Sequence, residues 1–410
     1  MAAGQRETRL RVVITEDAPS YGVLACVRAL RAGGYEPWVA TVGHSSYAAW
    51  SRARGGTMTV PDPTVDAELY AQRLARAAAD VGASVVLPGT DQALLALAGR
   101  ESLFPDGVTV GVCSRESVQR ATDKSELARL AAQAGFPATP TRIVSLEEPQ
   151  HNDDVPYPTV IKPLRTMSPD QNGRLVSVGA RRIENSTELH RAMSSMPQTR
   201  WLVQQYLVGE LEAAVGVAWR GRVACAAHQV AERIYPPDCG ISAYARTIPG
   251  QPEVERRVRR LIELLAWSGM FQIQMLNTPA GRYVIDLNLR PYGSLALAVA
   301  AGLNLPAIWT DLLLGRPVHA NGYRVGARYR SEERDAGALV AALSRRQWRT
   351  AASGLRPRRG TVHAIFSLRD PLPALNSLRH ARTAGLRVAS RFRERRAGSG
   401  RGRQNRMDHR

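Results

Sequence analysis

Lysine is almost missing from this sequence: of its 55 lysines and arginines, 53 (55 minus 2) are arginine, which leaves Lys124 and Lys162. A planar guanidinium and a compact ammonium are not interchangeable. Two lysines surviving such a bias mark positions where a point charge on a flexible stem is needed. Cysteine is nearly as scarce. Cys26, Cys113, Cys225 and Cys239 form no CxxC pair and no regular spacing, which argues against a zinc site or a disulfide framework and points to a reducing cytoplasm. The opening MAAGQRETRL carries charges and no apolar segment, so no secretory signal is read there. The longest nearly uncharged stretch, Leu295 to Leu314, is interrupted by Gly302, Asn304 and Pro306 and charged at Asp311. It reads as a buried helix, a turn and a second helix, not as a membrane span. The loop after the first apolar run, TEDAPSYG, lacks the GxGxxG spacing that seats a dinucleotide pyrophosphate, so an ordinary NAD-dependent dehydrogenase is disfavoured.

The chain of 410 residues is 44% hydrophobic, enough for two or three domains with their own cores. Its formal net charge of +19 owes much to the stretch from Arg379 onward. That tail is rich in Gly, Ser and Arg and poor in apolar residues, so residues 391–410 are expected to be basic and disordered, and nucleic acid is not the expected partner. Upstream, LRVVIT at Leu10 to Thr15 fits a buried parallel strand. Tyr21 to Ala32 has helical periodicity, Pro37 to Thr41 is a second strand, Val65 to Val81 a helix, and Ser84 to Leu87 a strand running into Pro88-Gly89-Thr90-Asp91. This alternation predicts a doubly wound, Rossmann-like parallel sheet over 1–116. One helix is expected from Ser117 through Lys124 to Gln133. Strands at Thr159–Lys162, Leu202–Tyr206, Leu211–Ala218, Met270–Leu276 and Tyr283–Asn288 give the second half an α+β character. YRVGARYR and TVHAIFSL are strand candidates beyond it.

Two of these strands carry chemistry. Met270–Leu276 and Tyr283–Asn288 flank NTPAG, a turn composition that makes a hairpin and sets Gln274 near Asp286. Side chains two apart share a strand face, so Asp286, Asn288 and Arg290 project together. A carboxylate and an amide oxygen, with a glutamine opposite, suit a magnesium ion that keeps several waters. No Ser-His-Asp or Cys-His arrangement is visible, and His228 reads as structural.

Four segments in order, ATDKSELARLAAQAGFPATPT, YPTVIKP, LVQQYLVGELEAAVGV and FQIQMLNTPAGRYVIDLNLRPYGS, resemble the ATP-grasp superfamily, in its carbamoyl-phosphate-synthetase-like or carboxylate-amine ligase branch. The resemblance covers about residues 10 to 318. It implies a fold class of α/β plus α+β: the Rossmann-like domain, then an ATP-grasp fold of two α+β lobes at 117–200 and 201–318. An appended module at 319–390 and the tail follow. Both surviving lysines fall on nucleotide positions, Lys124 in the DK pair and Lys162 in the V-I-K-P segment. Two ammonium groups there can hold the phosphates of ATP extended. The resemblance also implies that Gln205, Tyr206 and Leu207 form the linker meeting the adenine, and that Glu212, with Glu210 in reserve, binds the ribose. Gln274, Asp286 and Asn288 would hold Mg²⁺, and Arg290 the γ-phosphate and then the developing charge. The chain departs from the family in three places. Its phosphate-covering loop has only Gly173 and Gly179, so Arg174 or Ser168 is expected to stand in. Gln205 replaces a glutamate, and D-L-N-L-R replaces E-x-N-P-R. The implied cofactors are ATP and Mg²⁺, and the implied reaction joins an acid to an amine through an acyl phosphate, releasing ADP and phosphate. A bicarbonate-using carboxylase and a nucleotide-binding protein without turnover are the alternatives. The partners are a small-molecule acid and amine, with oligomerisation left open. Ser20, Thr90, Asp91 and Arg246 are the substrate candidates by their position relative to the motifs.

Overall fold

The computed structural model describes residues 9–377, except 44–45, 147–154, 166, 171–173, 177, 196–199, 320–321 and 356–357. The tail 391–410 and Gly173 fall outside these residues.

The β-branched run after Leu10 forms β1 (Arg11–Glu16), whose Val12, Val13 and Ile14 are fully buried, as a strand covered on both faces should be. Ser20 then caps α1 (Tyr21–Ala32) by accepting from Val23 N. The chain continues through β2 (Glu36–Thr41), β3 (Gly56–Thr59), α2 (Ala67–Asp80), β4 (Ala83–Leu87), α3 (Asp91–Leu97) and β5 (Thr109–Val110). These five strands make a parallel sheet in the order β3-β2-β1-β4-β5. Strand order reverses between β1 and β4, so the loops at their carboxyl ends open a crevice at a topological switch point. Ser20 and Gly89 to Asp91 sit there. Gly89 is obligatory: a Cβ would lie 1.9 Å from the Thr15 carbonyl oxygen.

The expected single helix around Lys124 is two, α4 (Arg115–Thr122) and α5 (Lys124–Gln133). Asp123 breaks it. Its backbone is extended (φ −87°, ψ 115°), and its carboxylate accepts from Ser125 N and Glu126 N. A short acidic side chain satisfies the open amides of a new helix better than it continues an old one. Lys124 is thereby the first residue of α5.

Next come β6 (Thr141–Ser145), β7 (Thr159–Pro163), β8 (Ser168–Pro169), β9 (Leu175–Val176), β10 (Arg181–Ile183), α6 (Ser186–Ser194) and β11 (Arg200–Gln205). Four of these strands pair as an antiparallel sheet, β10-β7-β11-β6, over Ile161, Ile183, Leu189, Met193 and Trp201. β8 and β9 make a small ladder of their own. A larger lobe follows: β12 (Glu210–Trp219), β13 (Arg222–Tyr235), β14 (Ile241–Ile248), α7 (Pro252–Leu264), β15 (Gly269–Thr278) and β16 (Gly281–Asn288). The stretch 295–314 is α8 (Leu295–Ala300) and α9 (Leu305–Leu313) with a turn between them. Among the described residues, no helix is long and apolar enough to cross a membrane. The strand candidates beyond 319 are β17 (Arg328–Arg330) and β18 (Thr361–His363), with α10 (Glu332–Ser344) and α11 (Trp348–Leu355) between. They extend the large lobe into a seven-stranded sheet, β16-β15-β12-β13-β14-β17-β18.

The two faces of β12 and β15 differ with period two. Ala214, Ala218, Phe271, Ile273 and Met275 pack under α7 and α5. Ala213, Val215, Val217 and Met270 pack with α1, α8 and α9. The second face continues into a cleft toward the small lobe.

Candidate active site

A cleft of about 1160 Å³ lies where the three sheets meet. It brings together the residues selected from the sequence for nucleotide, metal and substrate, apart from Glu212 and the two candidates for the phosphate-covering loop, Arg174 and Ser168.

Lys124 Nζ donates to Asp286 Oδ1 at 2.8 Å, and its backbone N–H reaches the Leu164 carbonyl at the same distance. Lys162, near the end of β7, is almost wholly buried, and its Nζ donates to the Ile285 carbonyl at 3.0 Å. Burial, then the repulsion of Lys124, pulls the Lys162 ammonium down to about 7 from its ordinary 10.5, against the pull of Asp286. Between about pH 7 and 10.5 the unfolded chain holds a proton at Lys162 that the folded chain does not, so folding is penalised below this window and relieved as pH rises through it. Thermal unfolding of the full chain should therefore show wild type gaining stability relative to Lys162→Met between pH 7 and 10. Parallel Tm profiles for the two would contradict the burial argument.

The Asp286 carboxyl is raised by burial, but Lys124, by charge and hydrogen bond, with Lys162 behind it, holds it below its ordinary value. Its place on the cleft face depends on an irregular ladder. The hairpin turn is tighter than NTPAG suggested: Thr278 pairs with Gly281, Leu276 with Tyr283 and Met275 with Val284. Continued regularly, this register would set Ile285 opposite Gln274 and turn Asp286 toward the α7 core. A bulge intervenes between Gln274 and Met275, after which Gln274 faces Asp286 and Gln272 faces Asn288. One extra residue flips every later side chain, which delivers both polar groups to the cleft and presents the Ile285 carbonyl to Lys162. Asn288 Nδ2 donates to Gln272 Oε1 at 3.1 Å, leaving the Asn288 amide oxygen for another partner. One carboxylate with amide oxygens is a fitting donor set for Mg²⁺. Among the described residues no group of three or more His, Cys, Asp and Glu forms a cage by itself.

Arg290 reaches back to the parallel-sheet domain. Its Nε and Nη2 each lie 3.1 Å from Asp91 Oδ2, and its Nη1 donates to the Pro291 carbonyl at 3.2 Å. Asp91, a substrate candidate, is thus the partner that fixes the arginine. The other candidates also line the cleft while holding structural bonds. Thr90 caps α3 and donates to Asp17, Ser20 caps α1, and Arg246 pairs with Glu232 at 2.9 Å.

The ladder of β11 ends with Gln205 opposite Thr159 and that of β12 begins with Glu210 opposite Asn277. The backbone of residues 206–209 between them borders the cleft outside either ladder. Val160 and Met167 from the small lobe and Leu276 and Ile285 from the large one line the same space. Glu212 departs from expectation. It pairs with Met275, on the face turned away from Gln272 and Gln274, and its carboxylate is occupied by Arg282 (2.7 Å) and Asn277 (2.9 Å). Glu210, at the strand end, borders the cleft. Arg174 also departs: it bonds Asp62 and Thr64 of the parallel-sheet domain. Ser168 opens β8. His228 is buried in the β12–β13 ladder, and burial lowers its pKa.

Three contributors were not legible in the sequence. Glu16, at the end of β1, is fully buried and accepts from Ser20 N, Tyr47 N, Ala48 N and the Ser46 hydroxyl, with burial raising its carboxyl to about 7. Glu333 and Arg334, on α10, also line the cleft. Nothing in SEERDAG distinguishes them from a solvated helix start.

A family model described as "ATP-grasp in the biosynthetic pathway with Ter operon" matches residues 197–353. The large chain of carbamoyl phosphate synthase from Thermotoga neapolitana is 24% identical over 227 residues, covering 52% of this chain and 20% of that one. The chain therefore spans about a fifth of the length of that curated relative. Among solved structures, an L-amino acid ligase from Bacillus licheniformis is similar at a TM-score of 0.56 and 14% identity, over 75% of each chain. The biotin carboxylase domain of 2-oxoglutarate carboxylase from Hydrogenobacter thermophilus, a dimer solved with MgADP, ADP and bicarbonate, is similar at 0.57 and 15%, over 78% of this chain and 74% of that one. These likenesses are of fold.

Proposed function

We propose that this chain, a member of the ATP-grasp superfamily, is an ADP-forming ligase that activates a carboxylate as an acyl phosphate and passes it to an amine. The observation that carries the reading is the convergence of both lysines, Asp286, Asn288, Gln274 and Arg290 in one cleft between two lobes. Adenine fits between Val160 and Met167 on one side and Leu276 and Ile285 on the other, with the backbone of 206–209 at its edge. Lys124 and Lys162 point their ammonium groups at the phosphates. Asp286, Asn288 and Gln274 would hold Mg²⁺. That ion would offset the charge that the phosphates carry.

The chemistry asks positioning of the protein and no nucleophile. A carboxylate oxygen of the acid attacks the γ-phosphorus in line, the bond from that phosphorus to the bridging oxygen breaks, and ADP leaves. The amine nitrogen then attacks the acyl carbon, the carbon–oxygen bond to phosphate breaks, and the nitrogen gives up a proton. Arg290, held by Asp91, presents fixed donors where charge accumulates. The test is product analysis with pooled acids and amines. ADP and phosphate should form only when both are present, with oxygen-18 moving from the acid to phosphate. AMP and pyrophosphate would overturn the acyl-phosphate route, and ATP cleavage requiring bicarbonate alone would make the protein a carboxylase.

The two glutamates of β12 should separate cleanly. Glu210→Gln removes a carboxylate suited to the ribose hydroxyls and should raise the KM for ATP roughly 5- to 10-fold at unchanged Tm. Glu212→Gln should lower Tm, because it breaks the partly buried Arg282 pair, and leave that KM alone. The reverse result would return the ribose to Glu212.

A further inference from the structure

Cations lining the cleft differ in whether an acid answers them. Lys124 pairs with Asp286, Arg233 with Asp335, Arg246 with Glu232 and Arg290 with Asp91. Lys162 and Arg334 have no carboxylate within ion-pairing reach among the described residues. The phosphates of the nucleotide account for Lys162 under the proposed function. Arg334 is left open to a second anion.

Its placement is fixed by the residue that follows it. Asp335 is buried and takes Arg233 through both carboxylate oxygens, at 2.6 and 3.0 Å, and Arg330 at 3.0 Å. This pins the first turn of α10 against β13 and aims the two preceding residues at the cleft. The Arg334 guanidinium carbon stands 4.7 Å from the centroid of Tyr21, whose ring stacks on Tyr47 at 5.5 Å. A Cβ on Gly293, three residues past Arg290, would lie 3.2 Å from Arg334 Nη1. The same Tyr21 donates its hydroxyl to Glu333, whose other oxygen accepts from Ser377 at 2.7 Å. A guanidinium and a carboxylate are thus presented side by side on one aromatic platform. A second concavity of about 470 Å³ shares Tyr21, Cys239, Gly240, Ile241, Glu333 and Arg334 with the main cleft. The pair therefore stands where an outside approach meets the site.

Resting on the ligase reading, we propose that this wall is the acceptor subsite and that the acceptor is an α-amino acid. Arg334 binds its carboxylate, while Glu333, which keeps free lone pairs, receives its ammonium and takes the proton whose loss frees the nitrogen lone pair for attack. Under that reading the acid to be phosphorylated meets the γ-phosphate beside Arg290, so the carboxylate on Arg334 belongs to the other substrate. A planar fork matches a carboxylate in a way a monodentate amide cannot.

The test modifies the full chain with phenylglyoxal and follows the peptide containing Arg334 by mass spectrometry. A pool of the common L-amino acids should slow its modification several-fold, and a pool of their α-amides should not. Equal protection by both pools, or by neither, overturns the proposal. In turnover, R334Q should raise the KM for an amino-acid acceptor roughly 10- to 100-fold and R334K by less. The KM for ATP and the KM for an amide acceptor should stay unchanged. An equal loss for amide and acid acceptors would reduce Arg334 to a structural role. Binding of MgADP, followed by calorimetry, tests the ligase reading separately: its absence would sink that reading without touching the footprint.

Discussion

Arg290→Ala is expected to lower kcat about 100- to 1000-fold while changing the KM for ATP little, the signature of a donor whose contact strengthens as charge develops. The guanidinium is anchored by Asp91 and the Pro291 carbonyl, so its geometry precedes the reaction and need not be organised during it. Arg290→Lys should recover little, since an ammonium cannot hold Asp91 and offer a second directed donor in the same arrangement. Asp91→Asn gives the companion measurement. With the charge of the anchor removed, kcat should fall by a smaller factor, about 10-fold. Steady-state kinetics at saturating ATP decide it. A proportional rise in the KM for ATP, with kcat intact, would mean that Arg290 serves ground-state binding instead.

Asp286→Asn should shift the Mg²⁺ concentration for half-maximal turnover upward by roughly 100-fold or more, since even partners one shell removed from a metal cost about 10- to 100-fold when lost. The same substitution leaves Lys124 without its 2.8 Å partner and removes the carboxylate that favours the charged form of Lys162. ATP binding should therefore weaken as well, most at alkaline pH, where Lys162 has the least reason to stay protonated. A Mg²⁺ titration of ATP cleavage that superimposes on wild type would remove Asp286 from the metal.

The parallel sheet and the helices at 295–314 were legible because they rest on local signals: β-branched runs, helical periodicity, and breaks at Gly302 and Pro306. The lysines were legible through arginine's near-total replacement of lysine elsewhere. Three features were hidden for one reason, that each depends on a neighbour distant in sequence. Glu212 has the alternation of a cleft residue until β15 supplies the register that turns it to Arg282. Asp91 looks like a free switch-point acid until Arg290, 199 residues on, arrives beside it. Glu333 and Arg334 belong to a stretch with no motif, and only the burial of Asp335 against Arg233 sets them at the border of the cleft. Asp123 is different: its power to cap a helix was readable, and helical periodicity on both sides masked it.

The bulge at Ile285 also governs how β16 should respond to substitution. Before it, even-numbered residues face the core side, with Val284 opposite Met275; after it, Asp286 and Asn288 face the cleft opposite Gln274 and Gln272. A strand scanned by mutagenesis ordinarily shows tolerance and intolerance alternating in one parity from end to end. Here the parity should invert midway, so that an apolar replacement is accepted at Val284 and rejected for activity at Asp286 and Asn288. Under the proposed function the first half of this one strand would answer to stability and the second to catalysis, with a single unpaired residue as the boundary.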